Sequence, residues 1–373
     1  MKLFSRKKSA PFILAGLLVL LTGCTMPFGG EESSYDTGIE LLTAHDYNGA
    51  LEQFRMAMDN GEKSADIYRA KGIAEYSLGD YAAAEASFTE ALDLCGGIPD
   101  SRAVDIACYL AQTFVDQGND VRAIEVYTAI LDLDKGNEDA HYLRGLCYLR
   151  QGDRERADED FEIILSRSPG QYDRILSIYQ GMSDAGYTAE GRKMLDSILS
   201  ENAEAMTSFE KGRFYYALGN NEEAKRYLEE ANNETVEERS DVRIPIVILL
   251  GEVAQDLGDD SYAISVYRRF LQDDQSQASI YNALGVCEMR MGSYGDALTD
   301  FQIGLGLNDD RQNAALMRNM VAAYEHMGSY DTAAQMMKEY LALVPTDEEA
   351  IRENIFLSSR VAEEEQQVEE EKE

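Results

Sequence analysis

Histidine and cysteine are scarce in this chain. Its 373 residues include three His and five Cys, and no two Cys stand in a C-x-x-C spacing. His45, His141 and His326 lie far apart, and none falls in a metal-ligand or nucleophile motif. Neither a zinc site nor a disulfide framework is expected from this pattern. Basic residues are also few, with 34 Lys and Arg against 69 Asp and Glu and a formal net charge of −35. Without a basic stripe to neutralise phosphates, nucleic acid is not an expected partner. So acidic a body is also repelled by an anionic bilayer. Long internal apolar runs are missing: residues 244–250 form the most apolar one, far too short to cross a membrane. Gly304-Leu305-Gly306 has no Lys-Ser/Thr behind it to make a phosphate loop. Asp132-Leu133-Asp134-Lys135-Gly136 brings its Gly one position early for a calcium loop and lacks the closing Glu. The expectation is a protein with no catalytic residues, no cofactor and no metal.

Glycine, in contrast, is placed with regularity. Gly79, Gly118, Gly152, Gly186, Gly219, Gly258, Gly292 and Gly328 each close a helical stretch. A helix-starting Asp, Asn or Ser follows all but Gly186, which is followed by Tyr187 and Thr188. Gly accepts the left-handed conformation that ends a helix, and Asp, Asn or Ser caps the next one. The spacings are 39, 34, 34, 33, 39, 34 and 36 residues, and a period near 34 predicts stacked helix hairpins. After Gly79 come Tyr81, Ala84, Phe88 and Ala91, one face of a helix. Gly72 and Ala84 let two antiparallel helices approach closely while Phe88 fills the space beyond. Gly38, Tyr47, Ala50, Phe54 and Ala57 repeat the pattern one unit earlier. Gly145, Ala157 and Phe161, and then Gly285, Tyr294, Ala297 and Phe301, repeat it later.

These recurring positions resemble the tetratricopeptide repeat family over roughly residues 31–347, in nine units. The register loosens in three units. His45 replaces the closing Gly of the first, Tyr179 and Gly191 depart from the small positions of the fifth, and Val321 and Met337 stand at the small and aromatic places of the ninth. The resemblance implies an all-α, right-handed superhelical solenoid of about nine hairpins, residues 34–347. A capping helix is expected over 348–361, where Ile351, Ile355, Phe356 and Leu357 supply apolar positions. The Glu-rich residues 362–373 are expected to form a disordered acidic tail.

The N-terminus carries a second pattern. Lys2, Arg6, Lys7 and Lys8 precede an apolar stretch over residues 10–21, which reads as an export signal. Leu21-Thr22-Gly23-Cys24 resembles a bacterial lipobox. The resemblance implies removal of residues 1–23, a lipidated Cys24 followed by a short linker to residue 33, and anchoring on the extracytoplasmic face of a bacterial membrane. Loss of those 23 residues leaves 30 basic against 69 acidic side chains, a formal charge of −39. The other cysteines, Cys95, Cys108, Cys147 and Cys287, are expected as small packing residues. Cys95 and Cys108 flank the loop at 96–100, and whether they pair in an oxidising compartment is left open.

The remaining expectation is binding. In stacked hairpins of this kind the first helices line the inner surface. Projecting the family's groove positions selects Tyr35, Arg69, Ile73, Tyr76, Tyr142, Leu146, Leu149 and Arg150 in the N-terminal half. Further on it selects Phe209, Arg213, Tyr216, Asn282, Met289 and Arg290. Tyr and Arg are the types that anchor partners, and the four arginines are expected to create positive spots on an acidic protein. Tyr35, Ile39, Arg69 and Ile73 do not reproduce the family's Lys/Asn clamp for a C-terminal carboxylate. The reading is an envelope adaptor that holds other envelope proteins or their peptide segments in a long open groove. The alternative is a capture protein with a closed pocket for a glycan or peptide, serving an envelope transporter or enzyme.

Overall fold

Each of the eight closing glycines has a positive φ, between 73° and 91°. His45 takes the same left-handed conformation at φ 65°, so the first unit makes its turn without glycine. The structure is a computed structural model that describes residues 33–96, 100–345 and 347–370. The segment expected to be an export signal, Cys24 and the residues up to 32 lie outside them. Among the described residues there are nineteen helices and no strand.

The chain divides into two compact units, one up to Ala157 and one from Asp158. The first contains α1 Ser34–Thr43, α2 Tyr47–Asp59, α3 Ala65–Ser77, α4 Tyr81–Leu94, α5 Ser101–Asp116, α6 Asp120–Leu133 and α7 Glu138–Arg150. Helix α8, Arg154–Arg167, begins in the first unit and ends in the second. The second continues with α9 Tyr172–Asp184, α10 Thr188–Asn202, α11 Ser208–Ala217, α12 Asn221–Glu234, α13 Ser240–Asp256 and α14 Asp260–Asp273. It closes with α15 Ala278–Arg290, α16 Tyr294–Gly306, α17 Asp310–His326, α18 Tyr330–Leu343 and α19 Glu348–Glu370. Helices α1–α18 give the nine pairs of the repeat pattern.

Small residues set the helix approach. A Cβ on Gly72 would lie 2.6 Å from the Phe88 ring, and one on Gly38 would lie 2.5 Å from that of Phe54. Ala84 and Phe88 are fully buried, and burying such an aromatic contributes roughly 1.5–3 kcal/mol. The fifth hairpin keeps this close fit with the sizes exchanged: Tyr179 on the first helix packs where a Cβ on Gly191 of the second would come within 2.8 Å. Val321 and Met337 of the ninth hairpin are both buried.

Capping divides by residue type. Asp46, Asp80, Asn119, Asn220 and Asp259 each accept from the backbone N–H three residues on. Ser293 and Ser329, expected to do the same, make no side-chain cap bond. Their ψ angles are 58° and 65°, close to the 75° of Asp46, where the longer carboxylate reaches and the hydroxyl does not. Ser33 and Ser64, extended at ψ 148° and 157°, do cap their helices.

The C-terminal segment also departs from expectation. Helix α19 continues past 361 to Glu370, so the tail expected to be disordered from 362 is helical that far. Glu, Gln and Ala have high helix propensity, and Arg360 pairs with Glu363 at 2.8 Å. The helix docks through buried Ala350 and Leu357, whereas Ile351, Ile355 and Phe356 are exposed.

The two units carry related sequence at an offset of 140 residues. Gly72, Tyr76, Gly79, Ala84, Asp116, Gly118, Tyr127, Gly145, Cys147 and Arg150 recur as Gly212, Tyr216, Gly219, Ala224, Asp256, Gly258, Tyr267, Gly285, Cys287 and Arg290. Contacts recur with them. The Tyr76 hydroxyl donates to Asp116 and that of Tyr216 to Asp256. Arg150 pairs with Asp120 at 2.6 Å and Arg290 with Asp260 at 2.8 Å.

Candidate functional site

Within each unit, the contacts that skip a helix join successive first helices: α1 to α3 and α3 to α5, then α9 to α11, α11 to α13, α13 to α15 and α15 to α17. The first helices thus form one surface in each unit, as the hairpin periodicity requires. Most of the sequence-selected residues lie on it, and most are engaged with a neighbouring helix.

In the first unit, Tyr35 packs its ring 6.1 Å from that of Phe54. Arg69 on α3 donates through Nε to Asp105 on α5 at 2.5 Å, and its guanidinium stands 5.5 Å over the Tyr109 ring. Tyr76 donates to Asp116 on α5, whose other oxygen accepts from Gln112 Nε2 at 3.2 Å. Burial, then this bond to the Asp116 carboxylate, raises the Tyr76 phenol well above its ordinary pKa. Arg150, at the end of α7, reaches back to Asp120 at the start of α6. Tyr142 is only 8% exposed and belongs to the packed interior, not to the presented surface. Ile73 and Leu149 are buried as well.

In the second unit, Arg213 on α11 donates to Asp173 on α9 and lies 5.4 Å over the Phe209 ring. Tyr216 donates to Asp256 on α13 at 3.1 Å, and burial together with that carboxylate pushes its phenol up to about 12. Asn282 on α15 accepts from Asn319 Nδ2 on α17 at 2.8 Å. Arg290 pairs with Asp260 and donates to the Gln255 carbonyl at 3.2 Å.

The expected positive spots are therefore corrected. Arg69, Arg150, Arg213 and Arg290 each face an aspartate 30–40 residues away, and together these pairs cross-link neighbouring hairpins. Sequence reasoning missed the partners Asp105, Asp116, Asp173, Asp256 and Asn319. The signal that could have found them is an offset of about one repeat between a groove Tyr or Arg and an acidic residue. The carboxylates are affordable because the pairs neutralise them in place; exposed pairs of this kind contribute little each, about 0–1 kcal/mol.

Between α9 and α11 the surface opens into a cleft of about 680 Å³. Its walls include Tyr172, Asp173, Arg174, Thr207, Glu210 and the sequence-selected Phe209 and Arg213. It combines two aromatic faces with charges of both signs. Among the described residues no group of His, Cys, Asp and Glu could hold a metal ion, and no helix is long and apolar enough to cross a membrane. Cys95, Cys108, Cys147 and Cys287 are free thiols.

Comparison with known proteins gives the repeat its name. Residues 35–99 and 102–172 match one tetratricopeptide repeat family model, and residues 203–233 match another. The matched segments, somewhat under half of the chain, are tetratricopeptide repeats, and the all-helical fold is that of a helical repeat. A TPR repeat-containing protein of Methanocaldococcus jannaschii is 22% identical over 200 residues, covering 51% of this chain and 34% of that protein. The chain thus matches about a third of the length of that curated relative. A solved tetratricopeptide repeat protein from Parabacteroides merdae is 16% identical, with 78% of this chain and 99% of that one covered and a TM-score of 0.41. MamA is 20% identical, with 46% and 96% covered and a TM-score of 0.37. YrrB, described as a TPR protein with an unusual peptide-binding site, is 18% identical, with 45% and 84% covered and a TM-score of 0.36.

Proposed function

We propose that this protein is a lipid-anchored scaffold of a bacterial envelope that holds an extended segment of another envelope protein along its first-helix surface. The observation that carries the reading is the cleft between α9 and α11, where Phe209 and Arg213 meet Tyr172, Asp173 and Glu210. An aromatic face beside paired charges is the residue chemistry of interface anchors. The cleft is only partly enclosed, which suits a polypeptide segment better than a fully enclosed small ligand. The export signal and the Leu21-Thr22-Gly23-Cys24 tetrapeptide support the extracytoplasmic location.

The test is recovery of partners from solubilised membranes at low and high salt. Phe209→Ala with Arg213→Ala should abolish capture, while an outward pair, Glu85→Ala with Glu155→Ala, should not. Salt weakens adhesion to an acidic surface and spares capture with a buried aromatic core. Recovery that collapses in salt and ignores the cleft substitutions would overturn the reading.

A further inference from the structure

A second, smaller pocket of about 220 Å³ lies in the second unit, walled by α12, α13, α14 and the connection after α12. Its polar walls are Arg243, Arg269, Asn232, Asn233 and Ser265, and no carboxylate lines it. That is unexpected in a chain of net charge −35. Val236, Val247, Val266 and Phe270 supply an apolar wall, with the Tyr262 ring beside them.

Arg243 is the feature that packing does not explain. It is only 7% exposed, with its guanidinium 5.0 Å over the Phe270 ring. Its Nη2 donates to Asp273 at 3.2 Å, and its Nε–H is buried with no acceptor. A guanidinium offers five donors in a fixed fork, and leaving one unpaired in the interior is costly. Arg269, on the same pocket wall, is exposed and makes no ion pair among the described residues.

The internal duplication supplies an independent comparison. At the 140-residue offset, Ala103 and Ala129 correspond to Arg243 and Arg269, while Asp93 and Glu125 correspond to Asn233 and Ser265. Tyr262, on the same wall, corresponds to Arg122, so over the lining positions the second unit has one cation more and two anions fewer than its counterpart. An ion pair with Asp273 accounts for one donor of Arg243 and leaves its Nε–H unpaired. It accounts for neither the unpaired Arg269 nor the neutral Asn233 and Ser265.

We propose that this pocket binds a small oxyanion, a carboxylate or phosphate group carried on a short apolar body. The guanidinium forks of Arg243 and Arg269 match the paired oxygens of such a group. The Asn232 and Asn233 amides add donors, and the body lies against Val247 and Phe270. The site shares no lining residue with the cleft between α9 and α11 and does not rest on the function proposed for it.

The test is titration of the full chain with benzoate and with phenylphosphate, followed by calorimetry and by the arginine side-chain resonances. One saturable site is expected, and the tighter anion names the head group. Arg269→Gln should weaken binding about tenfold, as loss of one charge-assisted contact does. Arg243 is buried and packs on Phe270, so a folding-neutral variant is also needed. Ser265→Glu, at an exposed position, restores the carboxylate that the counterpart carries and should abolish binding with the helical content unchanged. Glu125→Ser, the reverse exchange in the first unit, should leave binding as it is. Absence of saturable binding for both anions overturns the proposal, as does an affinity unmoved by both Arg269→Gln and Ser265→Glu.

Discussion

The Tyr267 hydroxyl donates to the Ile248 carbonyl at 3.2 Å. Gly251 keeps that space open, since a Cβ there would lie 2.1 Å from the same oxygen. At the 140-residue offset the tyrosine recurs as Tyr127 but the glycine is Ala111, and the buried Tyr127 hydroxyl has no partner. Burial raises the pKa of both phenols, yet only one is satisfied.

Opposite responses to one substitution follow. Tyr267→Phe should cost about 1 kcal/mol, the net worth of a hydrogen bond, whereas Tyr127→Phe should be neutral or stabilising because it removes an unpaired buried group. Gly251→Ala should overpack the site by about 1–3 kcal/mol. Hydrogen exchange in α13 and α14 for the second unit, and in α5 and α6 for the first, reads each effect locally. Equal losses for the two Phe variants would contradict the hydrogen-bond assignment.

Ala84 is fully buried beside Phe88, so Ala84→Leu should destabilise the second hairpin by about 1–3 kcal/mol. Because stacked hairpins contact their neighbours only, faster exchange should centre on α3 and α4 and fade beyond α6. A uniform rise across both units is the contrary result.

Stability should depend on pH through Glu288. Its side chain is 2% exposed, Arg268 Nη2 meets one oxygen at 2.7 Å and the other oxygen is unpartnered. Burial first, then Asp300, raises its pKa from 4.5 to about 7. The folded state thus holds a proton that the unfolded chain releases at lower pH. Folding is favoured below the unfolded value and loses this contribution as pH rises from about 4.5 to about 7. Glu288→Gln should flatten the dependence of the denaturation midpoint over that window and raise the midpoint at pH 8. A slope unchanged in the variant would assign the dependence to other groups.

Cys24 carries the location proposal. Cys24→Ala should release the protein from membranes or leave its precursor uncut, as judged by fractionation and by mass spectrometry of the N-terminus. An unmodified mature start elsewhere, with normal membrane attachment, would remove the lipid anchor from the account.

The repeat was legible in the sequence because its determinants are local. A left-handed glycine, a cap three residues before an N–H, and a small residue facing an aromatic one hairpin-arm away act within about 16 residues. The roles of Gly79, Asp80, Gly72 and Phe88 are therefore written in the local sequence. The departures also have local physical causes once backbone angles are known: serine is too short to cap at the ψ of Ser293, and the helix propensity of Glu, Gln and Ala favours continuation to Glu370.

Tertiary structure decided what the groove residues do. Arg150 and Arg213 look like free cations in the sequence, and only the stacking of successive hairpins brings Asp120 and Asp173 within reach of them. Tyr142 sits at a groove position by register, yet the neighbouring helices bury it. The small pocket was invisible for the same reason. Arg243 and Arg269 stand on different helices, and their convergence on a wall without carboxylates depends on how α12, α13 and α14 pack, a long-range arrangement that no local residue pattern specifies.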